Sequence, residues 1–335
     1  MSQNDLAGII ANPASGKDIR RVVAQATTFD NQAKVSILRR ALIGMWAMGV
    51  RRVLVMPDTQ KLGLQAQWGL EHSMAQVPEI ELLDLPVTGY AQDSERASRL
   101  LREAGVGCVL VLGGDGTVRV VSKEIGEVPL VPVSTGTNNV LPYFTEGTIA
   151  GLATGAVATG QVPLEEVAYR HKWLEIIVDG LPRERALVDV AVLRGTFIGS
   201  RAVWDAQSIE RIVATRADPA TIGISAIAGI IQPISLDEPR GIALTLAQEG
   251  GRPLLAPLGP GLLVEVRVAD VHILQVGQGI AFEVDHPTIL ALDGERELPL
   301  HGGEQVRIVL REDGPWIVDV RRTLEAMAVR KLFDR

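Results

Sequence analysis

Val106-Gly107-Cys108-Val109-Leu110-Val111-Leu112-Gly113-Gly114-Asp115-Gly116-Thr117 is the stretch on which the fold turns. Its first seven residues form an apolar run without polar alternation, the mark of a strand covered on both faces of a parallel sheet. The glycines after Leu112 end that strand in a loop. Working outward, Leu6–Ala11, Val53–Met56, Ile80–Leu85 and Leu130–Val133 have the same character. Between them, Asn31–Met48 places Val35, Leu38, Leu42, Met45 and Trp46 at helical spacing. Asp93 reads as the N-cap of a helix over Ser94–Ala104, with Gly105 as its stop. This alternation predicts a doubly wound α/β domain over residues 1–145.

Beyond Tyr143 the texture changes. Thr148–Thr159 reads as a small-residue helix that connects two domains. Strand signals then follow closely: Trp173–Val178, Ala186–Leu193, Leu262–Val268, Val271–Val276, Ile280–Val284, Thr288–Leu292, Glu297–Leu300, Val306–Leu310 and Trp316–Val320. Asp179-Gly180 and Asp293-Gly294 sit between such runs, as hairpin turns do. Residues 146–320 are therefore expected to form a mainly β, sandwich-like domain. Arg321–Arg335 carries Leu324, Met327, Ala328 and Leu332 on one helical face and should dock on the body.

Composition narrows the function. The 335 residues include 33 Lys and Arg against 40 Asp and Glu, a net charge of −7. A field of that sign disfavours nucleic acid and anionic membranes as partners. The single cysteine, Cys108, excludes an intrachain disulfide framework and reads as a buried hydrophobe. The longest uncharged stretch, Pro219–Leu236, is interrupted by prolines and glycines and reads as a buried or site-lining segment. A reduced, cytoplasmic protein is expected. His72, His171, His272, His286 and His301 are scattered without metal-ligand spacing, and no Gly-x-Ser-x-Gly elbow supports a hydrolase.

Three loops carry the chemistry. Asn12-Pro13-Ala14-Ser15-Gly16-Lys17 follows the first strand, Gly113-Gly114-Asp115-Gly116-Thr117 the fourth, and Ser134-Thr135-Gly136-Thr137-Asn138-Asn139 the fifth. In a parallel sheet all three lie at the carboxyl edge, where open α/β folds bind ligands. Each pairs glycine with hydroxyl or amide groups and precedes a helical segment, which implies a phosphate-bearing ligand. Neither a Walker A loop nor a dinucleotide fingerprint is present: Ala11 and Asp18 occupy required positions of the first, Arg119 of the second. Asp115 has two readings. Among phosphate-binding glycines a carboxylate serves an attacking hydroxyl or Mg²⁺; in a bare Gly-Asp-Gly turn it caps the next helix.

These residues resemble a superfamily. Gly113–Thr117 is similar to the signature shared by NAD kinases and by diacylglycerol and sphingosine kinases. Asn12–Gly16 and Ser134–Asn139 resemble the nucleotide loops of the lipid-kinase branch, and Asp293-Gly294-Glu295 resembles that branch's late Asp-Gly-Glu. Across nearly the whole chain, including Ile10–Gly16 and Ala186–Val192, the sequence looks most like the acetoin-catabolism protein X family, which is grouped with the ATP-NAD kinases.

The resemblance implies a small-molecule kinase that uses ATP and Mg²⁺, with NAD the first candidate acceptor, linked to acetoin catabolism. It places the acceptor hydroxyl at Asp115. The donor nucleotide would lie against Asn12, Ser15, Gly16, Gly113, Gly114, Gly116, Thr117, Thr135, Gly136, Thr137 and Asn138. The acceptor would lie against Asn139, Asp189, Thr221, Asp293 and Glu295. Val188-Asp189 keeps the carboxylate of the NAD kinases' Asn-Glu or Asn-Asp pair and lacks the amide; Asp218–Gly223 keeps only Thr221 of their Thr-Gly-Ser-Thr-Ala-Tyr stretch. A lipid kinase and a non-catalytic nucleotide sensor are the alternatives. Small nucleotides are the expected partners, with a homodimer left open.

Overall fold

The computed structural model describes residues 4–16, 30–71, 76–136, 139–195 and 206–334. Its first unit is a parallel sheet of β1 (Leu6–Ala11), β2 (Arg52–Val55), β3 (Glu79–Leu82), β4 (Val109–Gly113) and β5 (Leu130–Ser134). They lie in the order β3-β2-β1-β4-β5. Helices α1 (Asn31–Ala47), α2 (Leu62–Glu71), α3 (Ala91–Glu103) and α4 (Asp115–Ser122) alternate with the strands. Winding reverses between β1 and β4, which pair as Ala11↔Leu112, so a crevice opens above their carboxyl ends. Strand residues alternate between two cores. Ile9, Leu110 and Leu112 pack with Leu38 and Leu42 of α1; Ile10, Val109 and Val111 pack with Leu101 and Val118 on the other face.

Local chemistry sets the helix ends. Asp30 caps α1 by accepting from the Ala33 amide at 2.7 Å. Asp93, expected as an N-cap, instead lies inside the first turn of α3 and turns back to the Thr88 and Gly89 amides at 2.9 and 2.7 Å. α5 (Gly147–Ala158), expected as a connector, is a core helix laid against α1. A Cβ on Gly151 would fall 2.1 Å from the Ala41 carbonyl oxygen, so the backbones touch where both helices lack bulk.

The second unit is a β sandwich. α6 (Leu164–Val167) and β6 (Ala168–Arg170) lead into β7 (Trp173–Val178), β8 (Leu181–Ala186), β9 (Asp189–Arg194) and β10 (Ile209–Ala214). α7 (Ile224–Ile231) precedes β11 (Arg240–Leu246), β12 (Arg252–Gly259) and β13 (Leu262–Gln275). β14 (Gly279–Glu283), β15 (Thr288–Leu292), β16 (Glu295–Leu300) and β17 (Gln305–Arg311) complete it. One sheet runs β12-β13-β11-β10-β9-β15-β16 and the other β14-β17-β7-β8. Ile176, Val190, Val192, Leu290 and Ile308 fill the space between them. α7 covers the outer face of the larger sheet through Ile224, Ile227 and Ala228. Among the described residues no helix is long and apolar enough to cross a membrane.

Three expectations are corrected. Ala186–Leu193 is not one strand: it divides between β8 and β9 at Leu187-Val188, whose amides turn to Asp293 instead of a ladder. Leu262–Val268 and Val271–Val276 merge into the 14-residue β13, because Ala269-Asp270 is a bulge opposite Thr245-Leu246 and not a turn. The boundary at 145/146 also moves. β18 (Trp316–Val318) returns to pair parallel with β5, and β6 pairs with β18, so both extend the first sheet. α5, Val167 and Met327 of α8 (Val320–Val329) share the first unit's core. The chain crosses into the sandwich after β6 and comes back before β18. Its last segment docks on the body, as its apolar face requires.

Candidate active site

The three glycine-containing loops interlock at the crevice. Asn12 donates from Nδ2 to the Thr117 hydroxyl at 2.9 Å and accepts the Ala14 amide at its other end. Thr135 donates its hydroxyl to Ser15 Oγ at 2.9 Å, and Ser15 Oγ donates to the Asn12 carbonyl. Asn139 donates to Ser134 Oγ at 2.7 Å, and Gly136 bonds the same hydroxyl. Glycine is required where these side chains crowd the backbone. A Cβ on Gly113 would lie 2.6 Å from the Thr117 side chain, and one on Gly114 would lie 2.8 Å from Asn139 Oδ1. Gly16 takes a φ of 77°, the left-handed region. Thr137 and Asn138 lie outside the described residues.

Asp115 opens α4 and is nearly buried, at 7% exposure. Its Oδ2 accepts the Val140 amide at 2.9 Å and its Oδ1 the Leu141 amide at 2.8 Å. The carboxylate therefore anchors the chain that follows the Ser134–Asn139 loop. It is not the cap of its own helix, because the N-cap is Gly114.

The sandwich supplies the facing wall. Asp293, with φ 50° in the turn to β16, accepts the Leu187, Val188 and Asp189 amides at 3.0, 2.7 and 3.3 Å. Arg119 of α4 reaches across with Nε 3.3 Å from Asp293 Oδ2, both side chains fully buried, so a buried ion pair joins the units, with Lys123–Glu184 at 2.6 Å beside it. Burial pushes the Asp293 carboxyl up to about 7, although Arg119 pulls the other way. Asp189, 4% exposed, is raised well above the carboxylate range by burial and then by the charges of Asp293 and Asp115. Its Oδ1 has no hydrogen-bond partner among the described residues, while the Gly294 and Ser225 amides partly offset its burial. Glu295 faces Gly116, its carboxylate 3.5 Å from where a Cβ on that glycine would stand. The Thr221 hydroxyl closes its local turn by donating to the Asp218 carbonyl at 2.7 Å.

The buried cations Lys34, Arg119 and Arg216 escaped the sequence reading. Lys34 of α1, fully buried, donates to the Asn12, Pro13 and Ser15 carbonyls at 3.0, 3.0 and 2.6 Å and so holds the first loop from beneath. Arg119 is the joint just described. Arg216, beyond the end of β10, donates to the Val140 carbonyl and the Tyr143 hydroxyl, both at 3.2 Å. One signal was available for the first: Lys34 occupies a core-facing position beside Val35 and four residues before Leu38.

Comparison with known proteins agrees with this division. The ATP-NAD kinase N-terminal domain matches residues 8–162, and the acetoin catabolism protein X C-terminal domain matches residues 172–313. Acetoin catabolism protein X of Cupriavidus necator is 40% identical over 324 residues, spanning 94% of this chain and 90% of that protein. The chain belongs to the acetoin catabolism protein X family. A structure from Bacillus anthracis str. Sterne, described as a candidate diacylglycerol kinase, is 14% identical, with 95% of this chain and 98% of that one covered, at a TM-score of 0.44.

In this acetoin catabolism protein X family member, the gap between the two matched domains, 163–171, coincides with α6 and β6, where the chain passes from sheet to sandwich. Residues outside the crevice have structural employment. Cys108 is fully buried in β1's neighbourhood, and burial drives its thiol pKa far up. His171 is buried with its pKa lowered to about 4 by desolvation. His286 pairs with Glu210 at 3.1 Å at the far end of β9 and β10. Among the described residues no group of three His, Cys, Asp or Glu is arranged to hold a metal ion.

Proposed function

We propose that the crevice binds a nucleoside triphosphate and transfers its terminal phosphoryl group to a hydroxyl, with ATP as donor and NAD as the first candidate acceptor. The observation that carries this reading is the interlock of Asn12–Gly16, Gly113–Thr117 and Ser134–Gly136 at the switch point of a parallel sheet. Loop glycines bring backbone close to phosphate oxygens, and the N-terminus of α4 favours anions. Asp115, Asp189 and Glu295 make the wall that an acceptor hydroxyl would meet. In this reading Asp115 orients that hydroxyl and accepts its proton. Among the described residues the carboxylates do not form a metal cage. Mg²⁺ fits this site as the counterion of the donor phosphates, which is how it binds in many phosphoryl-transfer sites. The relative's name supports a role linked to acetoin catabolism.

A second reading has an observation of its own. Asp115 spends both oxygens on backbone amides, as an anchoring residue would in a nucleotide sensor without turnover. One experiment separates the two. A thermal-shift panel of ATP, NAD, NADH and sugar phosphates with Mg²⁺ identifies ligands, since a ligand far above its Kd raises Tm by mass action. Turnover of each hit by wild type and Asp115→Asn then decides. Catalysis predicts a fall in kcat of at least about two decades; a nucleotide-induced Tm shift without turnover supports the sensor.

A further inference from the structure

One peptide group near Asp115 is held from both sides. The Val140 carbonyl accepts a hydrogen bond from Arg216 Nη1 at 3.2 Å, and the Leu141 N–H of that same peptide donates to Asp115 Oδ1 at 2.8 Å. The guanidinium, the peptide and the carboxylate thus form a chain in which each bond polarises the next, an effect that strengthens hydrogen bonds in a low-dielectric interior. Arg216 is 5% exposed and Asp115 is 7% exposed, so water screens neither end. The two ends belong to different units: Arg216 follows β10 of the sandwich, and Asp115 begins α4 of the parallel-sheet unit. Asp218 accepts from Arg216 Nη2 at 3.0 Å, and Tyr143 accepts from Nη1, which fixes the guanidinium in its plane.

We propose that Arg216 is a positioning residue that sets the orientation and charge environment of Asp115 through the Val140–Leu141 peptide. The assignment deepens the phosphotransferase reading and rests on it for its kinetic consequence alone. Its physical content, a coupling between residues 216 and 115, holds whether or not the protein turns over.

Arg216→Met removes the donor and keeps much of the bulk; Arg216→Lys keeps a donor with a different fork. With ATP, Mg²⁺ and the acceptor found by the ligand panel, Arg216→Met should lower kcat at least about tenfold and leave KM for ATP within about threefold, with Arg216→Lys restoring part of kcat. An unchanged kcat, or a loss confined to KM, overturns the proposal. Independently of turnover, denaturant unfolding of wild type, Arg216→Met, Asp115→Asn and the double variant closes a cycle. The double variant should lose clearly less stability than the two single losses added together, and strict additivity overturns the coupling. If wild type turns over nothing, the phosphotransferase reading fails and this cycle alone decides. If Arg216→Met does not fold, the cycle is run with Arg216→Gln, which removes the charge and the guanidinium fork, and the same outcomes apply.

Discussion

The two walls of the crevice are built by opposite means. On the donor side, neutral hydroxyls and amides interlock above a buried ammonium: Lys34 satisfies three carbonyls of the first loop. On the acceptor side, carboxylates do the holding. Asp293 gathers the amides of Leu187–Asp189, and Asp115 those of Val140 and Leu141. A cation behind a loop leaves the exposed backbone face suited to anions. Carboxylates in a wall do the reverse and suit hydroxyl donors. Under the proposed phosphotransferase reading, phosphates would meet one wall and the accepting hydroxyl the other.

The comparison can be broken most severely at Arg119. Removing one member of a buried ion pair leaves the other uncompensated, typically at about 3–5 kcal/mol. Arg119→Ala should lose that much in denaturant unfolding; a loss below about 1 kcal/mol would mean that the Arg119–Asp293 pair does not hold the two walls together. Lys34→Met is next. It strips three carbonyls of their donor, and a buried polar group left unpaired costs about 1–3 kcal/mol. Its destabilisation should come with weakened ATP binding, and an intact ATP-induced Tm shift would detach Lys34 from the donor wall.

Acidity sharpens the contrast. Asp293 titrates near 7 in the folded chain against an ordinary value of 3.8. Between those values the folded state holds a proton that the unfolded state has lost, so this group adds stability as pH falls through about 7. Between about pH 8 and about pH 6, wild type should gain Tm relative to Asp293→Asn; parallel pH profiles would contradict the assignment. The smallest effect belongs to Asp189→Asn. The native carboxyl is buried, with an oxygen unpartnered among the described residues, so replacing it by a neutral amide should cost less than about 1 kcal/mol or raise stability. NAD binding should still weaken more than ATP binding, and equal losses would make Asp189 structural.

The first unit was legible because most of its strands are unmixed apolar runs, as Val109–Leu112 illustrates; β3, with Glu79 and Glu81, is the exception. The sandwich was less so. β10 (Ile209–Ala214) carries Glu210 and Arg211 among its apolar residues, and β12 carries Pro253 and Pro257, which read as loop. The bulge at Ala269-Asp270 looks like a turn in sequence because both interrupt an apolar run. In the site, the loops announced themselves through glycine and hydroxyl spacing. Arg119 and Arg216 did not, since a lone basic residue acquires meaning only from a partner distant in the chain, Asp293 for one and the Val140 peptide for the other.

The central claim is that nucleotide phosphates lie on the donor wall. A crystal structure of the protein with ATP and Mg²⁺ tests it directly. The account predicts phosphate oxygens within hydrogen-bond distance of the Gly113–Thr117 backbone and of the Asn12–Gly16 loop, with Asp115 turned toward the open face. Phosphates bound elsewhere, with these loops untouched, would contradict it.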